Sequence, residues 1–429
     1  MRVVVIGAGA VGLCSAYYLA GAGADVTDLD ERDVGGGASR HNAGWVVPSM
    51  SGPVPAPGVV LQSLRWMLKR DSPLYIRPSL DPAFIRFMTS MLRNCNEHDF
   101  DRGMRATLEL NRRTFELFDQ LSRDGLSFEH HKEGLLLAFT DEHNLQEHEA
   151  ELSHAAELGA GQAITLTAAE ARYEVPLLSH SVVGAIDCPT ERFLNPDSFI
   201  DALAAGCRAR GVTIRTGQAV RTVETSRTGV VTAVGGIDRW AADAFVIATG
   251  AWSATTLRLF GSNLPIQAGK GYGFDIPKND STISRALYLS EAKVALTPLN
   301  GHTRLAGTMG FGGLDEKVDD TRAHGIITSA RRYLSGWPED PVPKAWSGLR
   351  PMTPDGLPFI GFLPNHDNVV IAAGHAMLGI TLSPVTGNIV RKLLIQGRTP
   401  LEAAPFQPDR FSGKTRRSDQ VPQAPQGLS

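Results

Sequence analysis

The apolar positions fall into two patterns. Short β-branched runs bounded by glycine suit strands buried on both faces of a parallel sheet, and Val3 to Ile6 is the first of them. A helix is predicted from about Ala10 to Ala20 and a second strand from Asp25 to Asp30, closing a βαβ unit of about thirty residues. Ala244 to Ala248 and Asn368 to Ala372 are two further buried-strand candidates that run into glycine. The other pattern is one-sided. Asn195 is a good N-cap, with Pro196 at the first helical position; Phe199, Ala202, Leu203 and Gly206 then keep helical spacing up to Gly211. Asp141 to Leu158 carries Leu145, Leu152 and Ala156 on one face among Glu, His and Gln, as a surface helix does.

These elements predict an α/β chain whose first domain is of Rossmann type and discontinuous, assembled from 1–80, 195–255 and 345–410. The segments 81–194 and 256–344 are assigned to a second, α+β substrate domain. The polar, Pro- and Gln-rich stretch 411–429 reads as a disordered tail.

Composition narrows the function classes. With 42% hydrophobic residues, 20% charged residues and a net charge of -3, nothing points to nucleic acid. Cys14, Cys95, Cys188 and Cys207 form no CxxC pair, which fits a reducing, cytoplasmic setting, and no stretch reads as a membrane span. The histidines lack metal-ligand spacing, so no metal site is expected.

The candidate chemistry begins at Gly7-Ala8-Gly9-Ala10-Val11-Gly12, a GxGxxG placed between Val5-Ile6 of a strand and a helix. Gly7 permits the tight turn, Gly9 the approach of a pyrophosphate and Gly12 close helix packing, while the helix N-terminus offers N–H groups to phosphate. Asp30, 18 residues past Gly12, is placed to hold a ribose hydroxyl. Asp28 interrupts the apolar strand, and a slipped register would give Asp28 or Glu31 that role instead. This fingerprint serves FAD and NAD alike. Ser39, Asn42, Ala43 and Gly44 form a small polar loop able to approach a flavin or pyrophosphate through backbone groups, and Ala248, Thr249, Gly250 and Trp252 end a buried strand in a small-residue turn.

Together with Trp66 to Arg70, Ser72-Pro73-Leu74, Met91 to Cys95, Gly348 to Pro358 and Gly374 to Gly387, these motifs resemble the D-amino-acid dehydrogenase family from residue 1 to about 410. Gly379 to Gly387 is closer to glycine-oxidase and hydroxyproline-dehydrogenase types. The resemblance implies FAD, held non-covalently, with Val220, Gly374, Gly379, Ile380 and Thr381 added to the cofactor contacts. It implies oxidative deamination of a D-amino acid by hydride transfer from the α-carbon to flavin, giving a 2-oxo acid and ammonia, with electrons passed to a quinone or other acceptor and a possible peripheral membrane contact. Arg350 is the expected anchor of the substrate carboxylate, through two parallel hydrogen bonds, the competing role being an ion pair with Asp355. Tyr272 and Tyr288 are expected to add phenol hydroxyls if their strands line the cavity. Lys293 stands where some oxidase relatives have an aromatic residue, and His375 is read as flavin-side or structural. Glycine, sarcosine or D-hydroxyproline oxidation is the alternative, and a non-catalytic dinucleotide-binding subunit the alternative of another class.

Overall fold

The computed structural model describes residues 1–58, 74–277 and 283–411. Trp66 to Arg70, Ser72-Pro73 and the expected tail beyond Phe411 lie outside them.

The first strand, Arg2–Ile6, sits near the middle of a six-stranded sheet. Across the sheet the order is Thr213–Arg215, Asp25–Leu29, Arg2–Ile6, Ala244–Ile247, Val369–Ala373 and Phe359–Phe362, with only the last strand antiparallel to its neighbour. Alternation along each strand serves two cores. Val3, Val5, Val246 and Val370 face helices Ala10–Gly21, Pro196–Ala209 and Gly379–Gln396, whereas Val4, Ile6, Phe245 and Ile371 face a small antiparallel sheet over 222–241. Helices Ala10–Gly21 and Gly379–Gln396 pack backbone to backbone at Gly387, where a β-carbon would come within 2.6 Å of Cys14. The doubly covered parallel sheet is of Rossmann type, as expected.

A larger, mixed sheet of nine strands stands beside it. Its order runs Trp346–Met352, Gln267–Pro277, His302–Phe311, Val294–Leu299, Ala286–Leu289, Leu135–Phe139, Gly184–Cys188 and Ile164–Thr167, and Leu74–Ile76 pairs with the end of His302–Phe311. Helix Asp320–Tyr333 covers one face through Ala323, Ile326 and Ile327, against Phe274 and Leu305. The other face is turned toward the cofactor sheet.

Sheet membership departs from the expected segments. Trp346–Met352 belongs to the large sheet because its backbone pairs with Gln267–Pro277, although 345–410 was assigned to the cofactor domain. Helices Glu97–Asn111 and Thr114–Arg123, assigned to the substrate domain, place Leu110, Leu117, Phe118 and Leu121 in the cofactor-sheet core. Their apolar stripes say that a face is buried, not against which partner.

Arg304 ties the two sheets together. Its nearly buried guanidinium meets Asp275 at 2.8 Å and Asp197 at 3.2 Å, and donates to the carbonyls of Arg40 and Asn42. The loop around 39–45 is thereby fixed against the large sheet.

Candidate active site

A cavity of about 950 Å³ runs from the glycine fingerprint to the face of the large sheet. It is at the upper end of ligand-pocket sizes, roughly 300 to 1,000 Å³. At the fingerprint end Gly7 has φ +115°, and a β-carbon there would stand 2.5 Å from the Ala248 carbonyl; a β-carbon on Gly12 would overlap the carbonyl of Gly7. The first turn of helix Ala10–Gly21 is therefore pressed onto the strand ends. No side chain caps that helix at Gly9, and Ala10 N–H donates to Ser39 Oγ at 3.0 Å. This is the backbone cradle that a pyrophosphate requires.

Asp30 lines the cavity just beyond its strand, its oxygens accepting from Ala8 N–H at 2.7 Å and Arg32 N–H at 2.8 Å. Burial raises its pKa against the pull of those donors. Arg32 in turn lies 4.2 Å over the ring of Trp252, so Asp30, Arg32 and Trp252 make one continuous wall. Glu31 also lines the cavity but is paired with Arg221 at 2.6 Å. Asp28 is wholly buried opposite Val5, with neither oxygen hydrogen-bonded among the described residues, and burial pushes its carboxyl well above the ordinary value. The strand register is regular through Asp28, and Asp30 is the carboxylate at its end.

At the other end, strand register assembles a floor. Leu137 pairs with Tyr288, Tyr288 with Ala295 and Ala295 with Ala306, and all four line the cavity. The two alanines leave room beside the one large ring. Tyr288 is fixed by Trp45, edge-on at 5.7 Å, whose indole N–H donates to Thr297 at 2.9 Å. Burial raises the phenol, which stays protonated.

Arg350 reaches the same space from the edge strand, over Gly271, and its Nη1 donates to the Thr308 carbonyl at 2.8 Å. It has no carboxylate partner among the described residues; Asp355 is taken by Arg410 at 2.7 Å, which disposes of the ion pair considered for it. Burial brings Arg350 down to about 10, so the guanidinium is charged at neutral pH. Thr308 itself has φ +64°. Among the described residues, three of the four non-glycine residues with positive φ, Lys293, Thr308 and Ala376, line this cavity, and strain of that kind gathers where side chains must be aimed.

Among the other expected residues, Ile6, Val11, Asn42, Ala43, Val220, Thr249, Gly250, Gly379 and Ile380 line the void. Tyr272 does not: it alternates with Gly271, whose α-carbon faces Arg350, and so its ring enters the core under helix Asp320–Tyr333. Val5, Ala8, Gly12, Gly44, Gly374 and Thr381 do not line it either. Val5 is inside the sheet, Ala8 is buried behind Asp30, and the three glycines are tight backbone approaches to Gly7, Leu194 and Thr353. The Thr381 hydroxyl donates to the Trp45 carbonyl at 3.0 Å and shapes the wall from behind. His375 lines the cavity, bonds Thr386 at 2.9 Å and is brought by burial to about 3, hence neutral. Sequence reading missed the apolar flank, Met88, Met91, Met309 and Phe311, because those residues come from two distant segments, a helix and a strand, with no shared motif.

Comparison with known proteins agrees with this geometry. The family model described as FAD dependent oxidoreductase matches residues 2–393. A D-amino acid dehydrogenase of Methylobacterium nodulans is 33% identical over 416 residues, covering 93% of this chain and 96% of the relative. One of Vibrio cholerae is 31% identical over 407 residues, covering 94% and 96%. Among solved structures, L-proline dehydrogenase from P. horikoshii superposes with TM-score 0.77 at 20% identity, covering 96% of this chain and 97% of that one. Glycine oxidase from Geobacillus kaustophilus gives 0.75 at 22%, covering 95% and 99%. These last two show the shared fold. With a glycine cradle, a carboxylate at the end of the second strand and a match spanning nearly its whole length, the chain belongs to the FAD-dependent oxidoreductase family.

Proposed function

We propose that this protein oxidises D-amino acids to 2-oxo acids and ammonia, passing the electrons to a quinone or another acceptor. The observation that carries this reading is Arg350, a charged guanidinium with no carboxylate partner among the described residues, facing a cavity that continues to the dinucleotide cradle. The D-amino acid dehydrogenases named above, similar over nearly the whole chain, support the D-series.

Bound FAD, which we take to be held non-covalently, supplies a two-electron acceptor for the hydride that leaves the substrate α-carbon. Arg350 keeps one N–H on the Thr308 carbonyl and has others for the substrate carboxylate, in a planar fork that also sets the orientation of the α-carbon. Tyr288 offers its hydroxyl beside that site, and Ala295 and Ala306 leave volume for a side chain. The methionines and Phe311 exclude water while the amine is neutral and the hydride leaves. The imino acid product then takes up water and releases ammonia. Among the described residues no helix is long and apolar enough to cross a membrane.

The test is anaerobic bleaching of the purified yellow protein by paired enantiomers. Small D-amino acids should bleach the flavin and their L-forms should not. Bleaching by L-amino acids alone overturns the reading, and rapid peroxide formation from glycine or sarcosine replaces it with an oxidase.

A further inference from the structure

Arg350 accounts for one carboxylate, yet a second cation faces the same cavity. Lys293 occupies the turn between strands Ala286–Leu289 and Val294–Leu299, with φ +54° and its N–H donating to Ser290 at 3.3 Å. Its carbonyl lies against Gly307, where a β-carbon would come within 3.3 Å, so the strained turn is packed next to the strand that carries Thr308. The ammonium lies 5.8 Å from the centre of the Tyr288 ring and forms no ion pair among the described residues.

Neighbouring carboxylates do not complete it. Glu291 is engaged by Thr140 N–H and hydroxyl, each at 3.2 Å, and by the Tyr333 hydroxyl. Glu151 lines the cavity but is exposed, where water screens it. Burial favours the neutral amine, and the fields of Glu151 and Glu291 oppose it only in part. A cation withdrawn from water without a partner is held at a cost that an arriving anion removes. One strand connects the two cations: the Lys293 carbonyl lies against Gly307, and its neighbour Thr308 accepts from Arg350 Nη1, with the Tyr288 ring beside Lys293. All three line one cavity, so a substrate whose α-carboxylate meets Arg350 has the phenol ring and Lys293 within the same space for its side chain.

We propose that Lys293 receives a second, side-chain carboxylate, so that this protein prefers D-amino dicarboxylic acids, D-glutamate and D-aspartate, over neutral D-amino acids of equal length. This rests on the amino-acid reading of the site and deepens it.

D-Glutamate and D-glutamine have the same length and differ by one charge. With holoenzyme under anaerobic conditions, wild type should bleach with a kcat/KM at least about tenfold higher for D-glutamate. In Lys293→Met that ratio should fall to about one, and Lys293→Arg should restore part of it. A parallel readout needs no turnover: glutarate should perturb the visible flavin spectrum and bind wild type at least about tenfold more tightly than glutaramate, a preference lost in Lys293→Met. A wild-type ratio of one or below, or equal losses for both amino acids in Lys293→Met, overturns the proposal. If neither amino acid bleaches the flavin but glutarate discrimination depends on Lys293, the deamination reading fails and the anion site stands. Should Lys293→Met not fold, Lys293→Arg and the wild-type discrimination decide the matter.

Discussion

Gly271 lies directly beneath the guanidinium of Arg350, so close that a β-carbon at that position would overlap it. Gly271→Ala should therefore displace Arg350 without touching the flavin cradle. The expected result is normal FAD content with KM raised at least about tenfold, the cost of a misaimed anchor. Arg350→Met should leave FAD bound and lower kcat/KM by two to four decades, on the order of 3 to 5 kcal/mol, with Arg350→Lys recovering part. Stopped-flow bleaching with a D-amino acid measures both; near-normal kinetics in Arg350→Met would return that residue to a structural role.

The two carboxylates at the end of the second strand should behave differently. Asp30→Ala removes the acceptor that holds Ala8 and Arg32 N–H groups together with the expected ribose contact, and FAD should dissociate at least about tenfold more readily. Glu31→Ala breaks only an exposed pair with Arg221 and should change FAD affinity less than threefold, about 0.6 kcal/mol. Fluorescence of released FAD on dilution measures each. Equal loss in both variants would contradict the assignment.

Tyr288→Phe removes a hydroxyl from the cavity, and the expected cost is about 1 to 2 kcal/mol in kcat/KM with the flavin spectrum nearly unchanged. Tyr272→Phe acts behind the sheet and should leave kcat/KM within a factor of about two while altering thermal stability. A larger kinetic effect from Tyr272 than from Tyr288 would reverse their roles.

Asp28 carries a pH dependence with a definite sign. Its folded-state pKa lies well above the ordinary 3.8, so the unfolded chain releases this proton first and the folded state loses stability as pH rises from about 4 toward the raised value. Asp28→Val removes a carboxyl without hydrogen bonds and should stabilise the protein by about 1 to 3 kcal/mol. The gain should grow with pH, by up to about 1.4 kcal/mol per unit, within that window. Denaturant unfolding at pH 5 and pH 8 checks it; a gain that shrinks with pH would mean that Asp28 is charged in the folded state.

The cofactor half of the site was legible because its chemistry is local. Gly7, Gly9, Gly12 and Asp30 fall within one βαβ unit, and period and spacing place them. The substrate half was legible only in part, since Arg350, Tyr288 and Lys293 come from separate strands of one sheet. Which face Tyr272 takes is decided by a pairing register that its own neighbours do not encode. The pairing of Trp346–Met352 with the large sheet was not legible for the same reason: an edge strand records its partner in backbone hydrogen bonds, not in side chains. Asp28, which looked like an irregularity of register, is a buried acid with a raised pKa in a regular strand.

The order of strands in the cofactor sheet also sets a timetable. Arg2–Ile6 is synthesised first, yet it pairs with Ala244–Ile247, which in turn waits for Val369–Ala373. During translation the glycine turn exists long before the strands that seat it, and such distant pairings are closed late and slowly. FAD capture then belongs to the end of biogenesis, and a nascent chain truncated before Val369 would carry the whole fingerprint without a pocket to use it.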